Sequence, residues 1–376
     1  MQRNVRHAAI MAAALWAGTA LAETEWREYP PHESPETSNL SDALASGDNI
    51  LGVRILSGSV QFEGANTYTG GTEIKANATF YAHPSSVDAL GSGAVHVEDG
   101  GTLRFRDVSI ANDVYLDDGG ILRVHASAGN VATNAGVLTL PAEGVGIVRG
   151  EGTAGTRHLA GTITGAGDID FRVEDWNHTV DIHIWGDNDY TGETTIQRTG
   201  TSDGHMNVWV RHPNALGTTT GAIHVLCDGV LTIRHQDGLH TNKTVNVKAN
   251  TGWGSGPAAI RQHADTTLGN AIVMSGGTAN NPSVFFMAVQ GNLAQNNTYS
   301  GTMTLQDGTT DIRGRYLTHV AHWFQTGRIT GAGALRIGVH NDQAQLYLRG
   351  DNDYSGGTTV GAHLSRPDFR LTLFGC

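Results

Sequence analysis

From about residue 50 onward, apolar and polar residues alternate in short runs that are separated by Gly, Asn or Asp. Examples are Ala94-Val-His-Val-Glu98, Gly101-Thr-Leu-Arg-Phe-Arg106 and Gly229-Val-Leu-Thr-Ile-Arg234. Runs of this length, with one apolar and one polar face, are typical of short β-strands, and no 3.6-residue period persists along the chain. The pattern therefore predicts an all-β protein made of many short strands.

Internal repetition indicates how these strands are arranged. One phrase occurs four times, as Asn66-Thr-Tyr-Thr-Gly-Gly-Thr72, Asn188-Asp-Tyr-Thr-Gly-Glu-Thr194, Asn297-Thr-Tyr-Ser-Gly-Thr-Met303 and Asn352-Asp-Tyr-Ser-Gly-Gly-Thr358. Short strands that cannot bury their inner face alone are stabilised by stacking on copies of themselves. We therefore predict a right-handed parallel β-helix, or β-solenoid, of imperfect repeats over residues 50–376. A β-sandwich array or a propeller is the alternative.

Composition and charge narrow the classes of function. The chain has 50 glycines in 376 residues, and only 16% of its residues are charged. Abundant Gly excludes a helical bundle and suits the tight turns between strands. The net charge of −12 repels phosphate backbones and anionic lipids, so we expect no nucleic-acid partner.

The N-terminus has the features of a secretory signal peptide over residues 1–22. Arg3 and Arg6 precede an apolar run over residues 8–21, and Ala20-Leu21-Ala22 supplies small residues at the cleavage positions. Residues 23–49 are acidic and contain Pro, which predicts a linker. No other apolar stretch reaches membrane-spanning length, so we expect a secreted or cell-surface protein without a membrane-spanning segment once the signal is removed.

The repeated phrase, followed by Ala89-Leu-Gly-Ser-Gly-Ala-Val-His-Val97 and Gly100-Gly-Thr-Leu-Arg-Phe105, resembles the autotransporter-associated β-strand repeat, also called the passenger-associated transport repeat. The resemblance is closest over residues 66–105 and looser over 188–233, and only the opening phrase is kept at Asn297 and Asn352. Members of this family are extracellular β-helical proteins of Gram-negative and related bacteria, and many are autotransporter passengers. The resemblance implies a surface or secreted β-solenoid and no particular reaction. Our leading hypothesis is therefore a structural or adhesive role at the bacterial surface.

The chain ends at Leu371-Thr-Leu-Phe-Gly-Cys376 without a polar segment that would cap the last strand edges. We therefore expect the repeat region over residues 50–376 to be truncated at its C-terminus.

Candidate residues for catalysis and metal binding follow no specific motif. Carboxylates that suit a β-helical polysaccharide lyase or hydrolase, which is our alternative function, are Asp117, Asp118, Glu174, Asp175 and Asp181. The loops Gly186-Asp-Asn-Asp189 and Gly350-Asp-Asn-Asp353 offer oxygen ligands for Ca²⁺, but Asx-turn chemistry explains them without a metal. His319 and His322 fall on opposite faces of a strand, and the distant Cys227 and Cys376 have no metal-binding spacing. We expect no enzymatic activity, no cofactor and no metal site.

Two strands carry polar and aromatic residues on their predicted outer face. In Val180-Asp-Ile-His-Ile-Trp185 the outward positions are Asp181, His183 and Trp185, and in the equivalent segment of the duplicated block they are Gln345, Tyr347 and Arg349. Aromatic rings flanked by polar groups bind glycans and protein surfaces. The sequence therefore predicts a binding face at these six residues, with glycans or surface proteins as partners.

Overall fold

The structure is a computed structural model that describes residues 25–29, 38–40, 50–62, 64–82, 88–174, 178–200, 204–218, 220–249, 258–263, 265–278, 280–288, 295–315, 321–340, 344–361 and 370–373. These residues form β-strands joined by turns, and they contain no helix. The predicted signal peptide over residues 1–22 and Cys376 lie outside the described residues.

The first eighteen strands are β1 (Glu25–Tyr29), β2 (Ser38–Leu40), β3 (Ile50–Ile55), β4 (Gly58–Phe62), β5 (Thr72–Ile74), β6 (Ala78–Ala82), β7 (Val95–Val97), β8 (Thr102–Arg106), β9 (Ser109–Ile110), β10 (Val114–Leu116), β11 (Ile121–His125), β12 (Val131–Asn134), β13 (Leu138–Thr139), β14 (Val145–Glu151), β15 (Thr156–Leu159), β16 (Ile163–Thr164), β17 (Asp168–Val173) and β18 (Val180–Ile184). The remaining strands are β19 (Thr194–Arg198), β20 (Met206–Val210), β21 (Ala222–Leu226), β22 (Gly229–Ile233), β23 (Thr244–Lys248), β24 (Ala259–His263), β25 (Thr267–Leu268), β26 (Ile272–Ser275), β27 (Ser283–Ala288), β28 (Gln295–Tyr299), β29 (Met303–Leu305), β30 (Thr309–Arg315), β31 (Ala321–Gln325), β32 (Ile329–Gly331), β33 (Ala334–His340), β34 (Ala344–Leu348), β35 (Thr358–Gly361) and β36 (Arg370–Leu373).

The strands stack into four parallel sheets. The 7-stranded sheet has the order β1-β3-β5-β7-β10-β13-β16, and the 13-stranded sheet the order β2-β4-β6-β8-β11-β14-β17-β19-β21-β23-β26-β29-β32. The 11-stranded sheet has the order β35-β33-β30-β27-β24-β22-β20-β18-β15-β12-β9, and the 5-stranded sheet the order β25-β28-β31-β34-β36. In a turn such as β10-β11-β12, the chain contributes one strand to each of three sheets. The prediction of an all-β solenoid with parallel strands is confirmed.

The described strands of successive turns pair with one another in parallel, although the turns differ in length. Val53 pairs with Thr72, which lies 19 residues further along the chain, and Ile272 pairs with Met303, which lies 31 residues further. Inward-pointing apolar side chains from all four sheets form one continuous core that runs from Val53 to Leu348. The outward-pointing positions therefore form rows that run across neighbouring turns.

Two strands lie within residues 23–49, for which the sequence predicts a linker. The strand β1 pairs with β3, and β2 pairs with β4, so both extend sheets of the solenoid. Stacked strands thus begin before residue 50, while the remainder of the predicted linker lies outside the described residues.

The Asn of the repeated phrase joins one turn to the next. Its side-chain oxygen accepts a backbone N–H from the preceding turn, and its side-chain nitrogen donates to a backbone carbonyl of the following turn. Asn188 makes both bonds, accepting from Ile163 N at 2.7 Å and donating to Ala215 O at 2.7 Å. One bond of the same kind is made by Asn66 with Ala89 O, Asn297 with Thr266 N and Asn352 with Ile329 N.

The Tyr of the phrase fills the core behind this Asn. Tyr68, Tyr190 and Tyr299 have no solvent-exposed surface. The hydroxyl groups of Tyr68 and Tyr190 bond to the Thr hydroxyl four residues later, at 2.7 and 2.6 Å. A buried phenol needs such a partner because an unpaired hydroxyl is costly in an apolar core. The repeated phrase is therefore a structural element of the solenoid.

Some glycines are required by close contact between turns as well as by turn geometry. A Cβ added to Gly186 would overlap the carbonyl oxygen of Gly161, and one added to Gly161 would overlap that of Gly136. Gly136, Gly161 and Gly186 therefore form one column of stacked glycines. A second column consists of Gly301, Gly327 and Gly350, in which a Cβ added to Gly327 or Gly350 would likewise overlap the carbonyl oxygen of the glycine one turn earlier. The glycine content thus reflects columns in which one backbone rests directly on another.

Candidate functional site

The six residues predicted to form a binding face point outward, as the alternation indicates. Their neighbours Val180, Ile182 and Ile184 are fully buried, whereas Trp185 has 47% of its surface exposed. The structure divides the six between two sheets. Asp181 and His183 lie on β18 and Trp185 directly follows it in the 11-stranded sheet, whereas Gln345, Tyr347 and Arg349 lie on or directly after β34 in the 5-stranded sheet. They therefore belong to two separate clusters.

The first cluster, which we call the tryptophan–arginine surface, consists of His158, Asp181, His183, Trp185, Trp209, Arg211 and Arg234. It spans four neighbouring strands, because β18 pairs with β15 and β20, and β20 pairs with β22. His183 is directly opposite Trp209, and the two rings stack with centroids 5.4 Å apart and planes 8° apart. His158 contacts the edges of His183 and Trp185, with ring centroids 5.4 and 5.9 Å away.

Arg211 lies between the two tryptophans. Its guanidinium carbon is 5.4 Å from the centroid of the Trp185 ring and 5.0 Å from that of Trp209, which is the range of a cation–π interaction. The guanidinium carbon of Arg234 is 5.9 Å from the Trp209 centroid. Both arginines therefore converge on one indole ring.

His183 is a neutral hydrogen-bond acceptor in this surface. Arg211 donates to its Nδ1 atom from Nε at 3.0 Å, and Nη2 lies 2.8 Å from the same atom. Burial, together with the positive charge of Arg211, lowers the pKa of His183 to about 3. Because a guanidinium has only donors, the ring proton of His183 must be on Nε2. The side chain therefore holds Arg211 in place without adding charge.

Asp181 orients the second tryptophan. Its Oδ1 atom accepts hydrogen bonds from Asn207 Nδ2 at 2.7 Å and from Trp209 Nε1 at 3.0 Å. Asn207 in turn accepts a bond from the Thr232 hydroxyl at 2.7 Å. Trp209 is thus fixed at its edge by Asp181 and on its faces by His183 and Arg211, which leaves Trp185 as the exposed ring.

The second cluster, which we call the tyrosine cluster, consists of His322, Phe324, Gln345, Tyr347 and Arg349. The Phe324 and Tyr347 rings stack with centroids 4.9 Å apart, and the guanidinium carbon of Arg349 lies 4.9 Å from the Phe324 centroid. Tyr347 donates a hydrogen bond to Gln345 Oε1 at 2.6 Å. The tyrosine cluster thus has the same combination of aromatic, His and Arg side chains as the tryptophan–arginine surface.

Sequence reasoning missed His158, Trp209, Arg211 and Arg234. Met206-Asn-Val-Trp-Val210 alternates in the same way as the segment that ends at Trp185, so the outward direction of Trp209 was available from the sequence. The sequence did not show which side chains surround Trp209, because Trp209 pairs with His183, which lies 26 positions earlier in the chain.

The carboxylates considered for polysaccharide cleavage lie at different sheets and have polar partners. Asp117 lies 2.9 Å from His96, and Asp118, which follows β10 of the 7-stranded sheet, accepts the backbone N–H of Val145. Glu174 pairs with Arg149 beside the 13-stranded sheet, and Asp181 lies in the 11-stranded sheet. Asp175 is outside the described residues. The consecutive residues Asp117 and Asp118 therefore lie at a different sheet from Glu174 and from Asp181.

The two Gly-Asp-Asn-Asp loops use their polar side chains within the fold. Asn188 joins turns, Asp187 accepts a bond from Asn214 at 2.8 Å, and Asp353 pairs with Arg328. Within the described part of the chain, no group of three His, Cys, Asp or Glu side chains is arranged to hold a metal ion, and no helix is long and apolar enough to cross a membrane. Cys227 has a free thiol, and His319 lies outside the described residues.

A known family model matches this chain at each copy of the repeated phrase. The family model of the passenger-associated-transport-repeat matches residues 57–76, 184–201, 292–312 and 341–362, each of which contains one copy of the phrase. No curated protein matches the chain. A solved structure described as "Crystal structure of TibC-catalyzed hyper-glycosylated TibA55-350 fragment" aligns with 90% of this chain and 100% of that chain, at 13% identity and a TM-score of 0.27. The repeat that the sequence resembles, the passenger-associated-transport-repeat, occurs four times in this chain.

Proposed function

We propose that this protein is an exported, non-catalytic β-solenoid that acts as an adhesin, with the tryptophan–arginine surface as its glycan-binding site. The four repeats fit an autotransporter passenger-like surface protein. The observation that carries the adhesive role is Trp185, which has 47% of its surface exposed although its indole is held by His158 and Arg211.

A glycan suits this surface better than a protein does. Sugar rings stack on single, rigid aromatic faces and hydrogen-bond to polar groups beside them. Trp185 offers one such face, and Asp181, His183 and Arg211 are within the same few strands. A protein partner, by contrast, binds a contiguous apolar patch of several hundred Å². The other large apolar side chains that are exposed among the described residues, Tyr115, Val131 and Val360, lie on other turns.

The test is binding of the whole protein to an array of immobilised oligosaccharides, compared for wild type, Trp185→Ala and Tyr115→Ala. Tyr115 is a matched control because 44% of its surface is exposed and it lies in the 7-stranded sheet. We expect wild type and Tyr115→Ala to bind the same glycans and Trp185→Ala to bind at least about tenfold more weakly.

Three outcomes would contradict the proposal. Equal binding by wild type and Trp185→Ala would place the site elsewhere, and binding of host proteins without any glycan would change the class of partner. Release of new reducing ends or unsaturated products from a bound polysaccharide would contradict the absence of catalysis.

A further inference from the structure

The charge of the tryptophan–arginine surface differs from the charge elsewhere on the solenoid. The whole chain carries −12, yet the guanidinium groups of Arg211 and Arg234 both approach the Trp209 ring. The charge of Asp181 acts on Arg211, but its Oδ1 atom already accepts bonds from Asn207 and Trp209. Positive charge is thus concentrated on this surface in an acidic protein.

Three arginines that belong to the 13-stranded sheet are paired with carboxylates. Guanidinium nitrogens of Arg104 and Arg123 lie 3.0 and 3.1 Å from the carboxylate oxygens of Glu151. A guanidinium nitrogen of Arg149 lies 3.0 Å from a carboxylate oxygen of Glu174. Arg211 differs from these, because its hydrogen-bond partner is the neutral imidazole of His183. Arg234 is exposed, and within the described part of the chain no carboxylate lies within ion-pair distance of it.

Two like charges held close together favour an anion between them. Burial and the neighbouring Arg234 lower the pKa of Arg211 to about 10, so Arg211 keeps its positive charge at neutral pH. Guanidinium groups bind carboxylates through paired, charge-assisted hydrogen bonds. A carboxylate placed beside Trp185 would therefore relieve the repulsion between the two arginines and complete their hydrogen bonding.

We propose that the tryptophan–arginine surface binds acidic glycans, with a sugar ring on Trp185 and its carboxylate on Arg211 and Arg234. This inference rests on the proposed glycan-binding function and adds the chemical class of the ligand. Trp185 supplies affinity for any suitable pyranose face, whereas the arginine pair selects sugars such as uronic acids. The selectivity is electrostatic and consequently weakens as salt is added.

The experiment compares two probes that differ only in whether they carry carboxylates. One is a hexuronic acid tetrasaccharide, and the other is the same tetrasaccharide with its carboxylates reduced to hydroxymethyl groups. Calorimetry with the whole protein should give a Kd for the acidic probe at least about tenfold below that for the reduced probe, because a hydrogen bond to a charged group contributes about that factor or more. Raising the salt concentration should narrow the difference.

Arg234→Gln is the informative variant, and Lys248→Gln is its matched control. Each removes one positive charge from an exposed position, but Lys248 lies in the 13-stranded sheet. Arg234→Gln should weaken binding of the acidic probe about tenfold and leave the reduced probe unchanged, and Lys248→Gln should change neither. Equal wild-type binding of the two probes, or equal losses in the two variants, would overturn the acidic specificity alone. Binding of neither probe would overturn the glycan-binding function as well.

Discussion

Replacement of Asn188 by Ala tests whether the repeated phrase holds the solenoid together. Asn188 is 97% buried, with 3% of its surface exposed, and it bonds to Ile163 N and Ala215 O in the turns before and after it. The substitution leaves one buried donor and one buried acceptor without partners. Each such group costs about 1–3 kcal/mol, so we expect the free energy of unfolding to fall by about 2–6 kcal/mol.

The chain supplies a graded comparison and a control for this substitution. Asn352 is the equivalent residue of another repeat, but it is exposed and makes one such bond, to Ile329 N at 2.8 Å. Asn352→Ala should therefore cost about 1 kcal/mol or less. The exposed neighbour Asp189, whose backbone N–H rather than its side chain bonds to Ile163 O, should tolerate Ala within about 0.5 kcal/mol.

The assay is urea denaturation at fixed pH, followed by circular dichroism of the strands. Hydrogen exchange at the amide of Ile163 adds a local readout, because this amide loses its acceptor only in Asn188→Ala. A loss below about 0.5 kcal/mol for Asn188→Ala, or a loss no larger than that of Asn352→Ala, would refute the role assigned to the phrase.

Two further substitutions test the packing between turns and the charge state of the candidate site. Gly161→Ala places a Cβ against the carbonyl oxygen of Gly136 and should destabilise the protein by about 3 kcal/mol. Gly338→Ala should not destabilise it, because a Cβ on Gly338 would meet open space. Equal melting temperatures of the two variants would contradict close backbone contact at Gly161. The pKa of His183 is lowered from 6.5 to about 3, so the folded state binds fewer protons than the unfolded state in this range. Stability should accordingly fall as the pH drops below about 6.5, and His183→Gln should lose less stability over the same range when denaturant midpoints are compared; parallel losses would contradict a neutral His183.

The fold was predictable because its signal is local. Alternation in segments such as Val180–Ile184 gave the strands and their buried face, and recurrence of the Tyr phrase gave the stacking. The function of Asn188 within that phrase was not predictable, since its partners Ile163 and Ala215 lie a full turn away on either side. The glycine columns were hidden for the same reason, because they follow from contact between turns.

The candidate site was predictable only in part. Asp181, His183 and Trp185 face outward as expected, and the same alternation applies to Tyr347, but these residues form two clusters in different sheets. Turn lengths between 19 and 31 residues prevent the sequence from showing which outward residues become neighbours. The register of β18 and β20 is therefore needed to show that Arg211 lies beside Trp185.

A crystal structure of the protein bound to an acidic oligosaccharide would test the proposed binding mode most directly. We expect a sugar ring stacked on the exposed face of Trp185, with its carboxylate between the guanidinium groups of Arg211 and Arg234. An oligosaccharide bound to another sheet, or one whose carboxylate points away from both arginines, would contradict this binding mode.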